Sequence, residues 1–206
     1  MARLSVLTQI SADHYLAGAD VAAAGRLWNW SDSWMWDDDL KAYAGDLLAR
    51  SHRLLLGRRA AEEGYLRHLE RQVGAHAGDT HFEFARPVTR ATKIVVDGGT
   101  GDGGLPRPGR DDISHAVRAA GADAPEDESL LAFGDAPLLA ALLAAGLVDE
   151  LLLLVDPVAL GDGVRWPRRD HGSLAGRRVG ERTFPCGVLV VRYAPGHTRP
   201  APTPGP

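Results

Sequence analysis

The sequence predicts an α/β protein: a mostly parallel central sheet, flanking helices and an antiparallel hairpin at the C-terminal end. Three observations carry this. Strand-like and helix-like segments alternate along the chain, the order that builds a parallel sheet from crossover units. The last two strand-like runs, RRVGERTF and GVLVVRYA, are joined at Pro185-Cys186 and read as a hairpin. Once the Pro/Gly-rich end is set aside, about 195 of the 206 residues remain, room for one sizeable core. The expected organisation is one domain over residues 1–195 and a disordered tail over 196–206.

Taken in order, LSVLTQI (4–10) alternates apolar and small polar residues, as a half-buried strand does. WNWSDSWMW (28–36) holds four of the five tryptophans. No helix sets all four indoles on one face, and the polar centre invites a turn. In DDDLKAYAGDLLARS (37–51), Leu40, Tyr43, Leu47 and Leu48 mark one helical face, and Asp37 or Asp38 is a natural N-cap. RLLLG (53–57) reads as a buried strand and RRAAEEGYLRHLERQV (58–73) as a helix. GAHAGDTHFEFARP (74–87) reads as a loop, ATKIVV (91–96) as a strand, DGGTGDGGLPRPGR (97–110) as a loop, and DDISHAVRAAG (111–121) as a short helix. SLLAFG (129–134) is a strand and DAPLLAALLAAG (135–146) a helix that tolerates Pro137 in its first turn and stops at Gly146. ELLLLVDPVAL (150–160) reads as one long strand before a glycine loop.

Hydrophobic content of 45% and charged content of 24% are ordinary for a globular chain. A net charge of −4 argues against a phosphate backbone as the main partner. Cys186 is the single cysteine, so no internal disulfide forms, which fits a reducing cytoplasm. The N-terminus has no long apolar run of the signal-peptide kind. The apolar stretches 138–148 and 151–155, broken by Asp149 and Glu150, fall short of the ~20 residues a membrane span needs. The expectation is a soluble, cytoplasmic protein with neither nucleic-acid nor membrane partner.

Residues 99–104 formally match G-x-G-x-x-G, but LPRPGR follows, and two prolines stop the helix a dinucleotide fingerprint requires. HExxH, CxxC, P-loop and G-x-S-x-G patterns are absent, and His76 and His81, five apart in a loop, have no ligand spacing. No metal site is expected, which leaves a borrowed cofactor as the main enzymatic option. The run Asp37-Asp38-Asp39 has two readings. One is capping and charge complementarity at a helix N-terminus. The other is a carboxyl among indoles, its pKa raised and able to hold or donate a proton.

Three segments resemble the dihydrofolate reductase-like superfamily, in the branch that includes the C-terminal reductase domain of the bifunctional riboflavin-biosynthesis deaminase/reductase. SADHYLAG (11–18) is similar to S-x-D-G-Y-I-A-G, and LLLGRRAAEE (54–63) to L-L-G-R-R-T-Y-E. The block LLAFGDAPLLAALLAAGLVDELLLLVDPVALGDG (130–163) follows that family's run through L-L-x-x-G-L-V-D-E-L to P-V-x-L-G-x-G. The resemblance implies a three-layer fold, NADPH-dependent reduction and a homodimer. Its cofactor contacts transfer to Gly57, Arg58 and Arg59 at a helix start, to Asp97 near the adenosine phosphate, and to Gly134 and Asp135 under the pyrophosphate.

Departures accompany these matches. Ala60 replaces a threonine, and His14 replaces the glycine of the first motif. Asp97 puts negative charge near a 2′-phosphate, disfavouring NADPH relative to NADH, and Asp135 adds a carboxylate beside the pyrophosphate. Two like charges ~4 Å apart at an effective dielectric of 20 cost about 4 kcal/mol if uncompensated.

In the superfamily, the segment between the first strand and the first long helix borders the substrate pocket. Trp28, Trp30, Trp34 and Trp36 occupy it here and would stack a planar ring. The alternative is that two or three of them pack into the core or a dimer contact. The expected function is an NAD(P)H-dependent reductase that delivers hydride to C=N, C=C or C=O of a planar, heterocyclic small molecule, with Asp37, Asp38 or a water completing protonation. The other reading is a degenerate reductase scaffold serving as a small-molecule binding protein or cofactor-independent biosynthetic catalyst.

Overall fold

The computed structural model describes residues 3–17, 36–51, 53–57, 65–83, 85–96, 110–122, 129–133, 136–166 and 175–196. Its strands are β1 (Arg3–Ser11), β2 (Tyr15–Ala17), β3 (Arg53–Gly57), β4 (Thr92–Val96), β5 (Ser129–Phe133), β6 (Glu150–Asp156), β7 (Val164–Arg165), β8 (Gly176–Thr183) and β9 (Leu189–Pro195). Its helices are α1 (Asp38–Ala49), α2 (Tyr65–Ala75), α3 (Thr80–Glu83), α4 (Arg86–Arg90), α5 (Arg110–Ala122) and α6 (Ala136–Ala144). Seven strands form one sheet in the order β4-β3-β5-β1-β6-β9-β8. The first five run parallel, and β9 pairs antiparallel with both β6 and β8. This is the α/β architecture with a C-terminal antiparallel hairpin that the alternation of segments predicts.

Both faces of the parallel strands are covered, so alternate residues feed two cores. Leu7, Leu54, Leu56, Leu131, Phe133, Leu152 and Leu154 pack with Leu40, Ala44 and Leu48 of α1 and with Leu69 and Val73 of α2. Leu4, Val6, Ile10, Leu55, Leu130, Ala132 and Leu151 pack with Ile113 and Val117 of α5 and Leu138, Leu139 and Leu142 of α6. Helix, sheet and helix thus form three layers.

The acidic pair Asp149-Glu150 at the start of β6 joins strands at the sheet's other end. The Asp149 carboxylate accepts the Leu4 N–H at 2.8 Å. Glu150, buried, accepts both the Nε and a terminal nitrogen of Arg192 on β9. Gly146 ends α6 at φ 69°, where its N–H reaches Leu143 O and the Leu147 N–H reaches Leu142 O. That left-handed turn is the reason for a glycine there.

Three expectations need correction. The segment 74–87 is not a loop throughout: α3 and the start of α4 lie in it. The N–H groups of Phe82 and Glu83 bond to Asp79 O, and the His76 ring stacks on Phe82 with centroids 4.2 Å apart. Two turns of helix carry too little apolar periodicity to announce themselves. The long strand over 150–160 stops at Asp156, because Pro157 has no N–H to continue the ladder. A second, two-stranded sheet, β2 with β7, appears where no strand is expected. Residues 58–64, 97–109 and 134–135 lie outside the described residues. Among the described residues, no helix is long and apolar enough to cross a membrane.

Candidate functional site

In open parallel sheets, ligands settle beyond the carboxyl ends of the strands, where outgoing connections diverge. Two such seams exist here. From β1 the chain proceeds through α1 to β3 on one side, whereas from neighbouring β6 it proceeds to β8 and β9 on the other. Likewise β3 leads outward to β4, while β5 leads through α6 back across β1 to β6.

The β1–β6 seam is polar at its end. Ser11 stands opposite Asp156 in the register, and Gln9 opposite Leu154. By strand parity Gln9, Ser11 and Asp156 face the α1 layer, together with Leu7, Leu152 and Leu154. Gln9 and Asp156 are both 0% exposed. Gln9 Nε2 donates to Asp156 Oδ2 at 2.6 Å. Burial pushes the Asp156 carboxyl up to about 7, with the Gln9 hydrogen bond pulling the other way.

Next to it, Asp13 ties the two outgoing connections together. Its carboxylate accepts from Ser11 Oγ at 2.6 Å, from Leu160 N at 3.0 Å and from Gly161 N at 2.7 Å. These bonds, the Ser11 hydroxyl first, hold its pKa down to about 2. The β2–β7 pair closes the opposite side of the seam, with Leu16 and Trp166 buried in the α5–α6 layer. His14, in the turn between β1 and β2, sits at φ 69°, which explains why the resembled motif has glycine. Replacing His14 with Gly should relieve that strain, set against the greater freedom of the unfolded chain, for a gain of about 0.5–1 kcal/mol in a urea melt.

Asp37 is the N-cap of α1: Oδ1 accepts the Leu40 N–H at 2.8 Å. Oδ2 accepts the Cys186 N–H at 2.6 Å, fastening the start of α1 to the β8–β9 turn. In that turn Gly187 has φ 90°, and a Cβ there would meet Pro157 at 3.1 Å. Desolvation raises the Asp37 pKa, but the Leu40 and Cys186 N–H groups and the Cys186 thiol outweigh it, and the net direction is downward. Of the two readings, the structure therefore favours the cap. A carboxyl held ionised is a poor proton donor. Asp38 is exposed at the helix surface, 3.8 Å from Lys41 Nζ.

Trp36 is 3% exposed and packs in the α1-layer core with Leu7, Leu40, Leu154, Phe184 and Val188. Of the four indoles it is the one to which the structure gives a packing role, because it immediately precedes the cap that anchors α1. Trp28, Trp30 and Trp34 lie outside the described residues.

Among the cofactor candidates, Gly57 ends β3, is buried and pairs with Val96 at the end of β4. Arg58, Arg59, Asp97, Gly134 and Asp135 lie outside the described residues. Leu55 pairs with Ala132 and Gly57 with Val96, so β3, β4 and β5 end side by side.

Gln9 and Asp156 are the polar residues that the sequence reading passed over. Their signal was present: Gln9 is a long amide side chain between Thr8 and Ile10 of a strand built for burial, and Asp156 ends the apolar run 151–155.

Residues 110–190 match the family described as the RibD C-terminal domain. Among solved structures, the chain is similar to a candidate riboflavin biosynthesis protein from Shewanella sp. PV-4, at 18% identity over 95% of this chain and 99% of that one, with a TM-score of 0.54. It is similar to a pyrimidine reductase-like protein from Corynebacterium diphtheriae, at 13% identity over 96% and 93%, with a TM-score of 0.55. It also resembles a diaminohydroxyphosphoribosylaminopyrimidine deaminase/5-amino-6-(5-phosphoribosylamino)uracil reductase from Thermotoga maritima, at 13% identity over 95% of this chain and 57% of that one, with a TM-score of 0.58. No curated protein matches the chain.

Proposed function

We propose that the chain, similar over residues 110–190 to the RibD C-terminal domain family and alike in fold to riboflavin-biosynthesis and pyrimidine reductase-like structures, is a nicotinamide-dependent reductase acting on a planar heterocyclic small molecule. The observation that carries this is the common rim at which β3, β4 and β5 end, with Gly57 closing β3; in sequence, Arg58 and Arg59 follow β3, Asp97 follows β4, and Gly134 and Asp135 follow β5. NADPH or NADH bound there would supply a hydride. The chain's own part is to bind and orient, with backbone N–H groups after Gly57 and the two arginines meeting phosphate. The ring to be reduced would lie at the neighbouring β1–β6 seam, stacked by Trp28, Trp30 or Trp34. Water exclusion falls to the apolar layer around Trp36 and α1. The homodimer implied by the superfamily belongs to the same proposal.

The test is a titration of NADPH and NADH followed by tryptophan fluorescence. Saturable quenching between micromolar and low millimolar cofactor is expected, with NADH at least as effective as NADPH because of Asp97. Asp135→Gly should tighten binding by one to three orders of magnitude, the scale of a like-charge repulsion of ~1–4 kcal/mol. Absence of quenching by either nucleotide, in wild type and in D135G alike, would replace this proposal with a binding protein or cofactor-independent catalyst on the same scaffold.

A further inference from the structure

Two acceptor atoms at the end of the β1–β6 seam have no hydrogen-bond partner among the described residues: Gln9 Oε1 and Asp156 Oδ1. Both side chains are fully buried, and their one mutual bond uses the remaining polar atom of each. An unmade hydrogen bond on a buried polar group costs ~1–3 kcal/mol, and more on a charged one. Packing does not require this cost, since leucines fill the equivalent inward positions 152 and 154 on β6. Thr8 Oγ1 and Trp166 Nε1 are also buried without partners among the described residues, but neither belongs to an ionisable group. The Gln9–Asp156 pair instead sits at the carboxyl ends of adjacent parallel strands where the outgoing chains part, the position at which such sheets receive ligands.

We infer that Gln9 and Asp156 form the polar floor of the crevice and take an N–H-bearing edge of a nitrogen heterocycle, one donor to Gln9 Oε1 and one to Asp156 Oδ1. This rests on the reading that the crevice accepts a flat ring. An amide oxygen beside a carboxylate oxygen is an acceptor–acceptor pair, and its complement is a donor–donor edge, such as a ring N–H next to an exocyclic amino group. A ring without such donors leaves both acceptors unsatisfied and is rejected, the way buried polar sites discriminate. The carboxyl is also one that a ligand can shift. Burial raises its pKa to about 7, and a donor edge favours the ionised form, so binding lowers that value. The groups on the surrounding elements are Ser11 on β1 and Asp13 beyond it, Asp37 and Lys41 at the start of α1, and Cys186 in the β8–β9 turn. Asp13 and Asp37 are each committed to backbone N–H groups. The Asp37–Cys186 hydrogen bond fastens the start of α1 to the β8–β9 turn in the same layer.

The experiment uses the full chain carrying carboxyl-carbon-labelled aspartate, with the Asp156 resonance assigned by its loss in Asp156→Asn. The probes are 2-aminobenzimidazole, which has the donor–donor edge, and 2-methylbenzothiazole, a flat ring without N–H. Expected are saturable binding of the first with a shift of the Asp156 resonance, a titration midpoint lowered by at least one pH unit in the saturated complex, and at least tenfold weaker binding of the second. Asp156→Asn and Gln9→Leu should each weaken the first probe at least tenfold; if either variant does not fold, the wild-type resonance decides. An Asp156 signal unmoved at saturating 2-aminobenzimidazole, or equal affinity for the two probes, overturns the inference. Dinucleotide quenching with a silent Asp156 would sink this inference alone. A responsive Asp156 without dinucleotide binding would sink hydride transfer alone.

Discussion

Between about pH 4 and pH 7 the protein is expected to become less stable as the solution becomes more alkaline, a slope that Asp156→Asn removes. The Asp156 carboxyl ionises near 4 in the unfolded chain, whereas burial in the folded seam raises it to about 7. Over that interval the folded state holds a proton that the unfolded state has released, so each pH unit costs the folded state up to about 1.4 kcal/mol. The full contribution is present below the unfolded value, is lost as pH rises through about 7, and is flat above it. Summed over the interval it reaches roughly 4 kcal/mol as an upper bound. On the acid side the sign reverses. Asp13 and Glu83 are held down to about 2, Asp13 chiefly by the Ser11 hydroxyl and Glu83 chiefly by Arg86, so their stabilisation is lost as pH falls from 4 towards 2. A stability maximum near pH 4–5, lower than for most proteins, follows from the two together. Urea melts across pH 3–9 check it: a wild-type curve flat between 4 and 7, or an unchanged slope in the Asn variant, contradicts the buried-acid account.

Trp36→Ala is expected to cost about 3–5 kcal/mol of folding stability, the range for deleting a large buried aromatic. Its ring is 3% exposed and packs with Leu7, Leu40, Leu154, Phe184 and Val188, contributions from strand, helix and hairpin together. The loss should come with weaker docking of the start of α1, since Trp36 and the Asp37 cap adjoin. Trp28→Phe, Trp30→Phe and Trp34→Phe should separate from it, leaving the melting midpoint within a few degrees of wild type while weakening a stacked ligand by ~0.5–1.5 kcal/mol per indole lost. Chemical denaturation alongside ligand titration of the four variants resolves the two roles. Four equal destabilisations would make the whole tryptophan stretch core and remove it from the substrate site.

The alternation of apolar runs with helical periodicities sufficed to predict layers, strand directions and the final hairpin, because backbone hydrogen bonding and burial act on short windows of sequence. Gly146 and Pro137 marked α6 for the same local reason. The Asp37 cap was legible as one of two neighbours, since capping is decided within four residues. The short helices α3 and α4 were not, because their stability comes from ring stacking and from burial of Val88 rather than from their own pattern.

The site divides along the same line. Sequence alone determined the chemistry available: indoles before α1, arginines after β3, and acids at Asp37, Asp97 and Asp135. Only the tertiary structure sets the surroundings of Asp37 and Asp156, and with them the direction in which each carboxyl shifts. Asp37 and Asp156 are the same side chain with opposite shifts, one surrounded by N–H donors and the other enclosed with a single amide. That difference is set by strands 147 residues apart in the chain, Gln9 against Asp156, and by a helix start fastened to a turn 149 residues away. Local sequence fixes what a residue can do, and its pKa follows from which distant groups solvate it once water is gone.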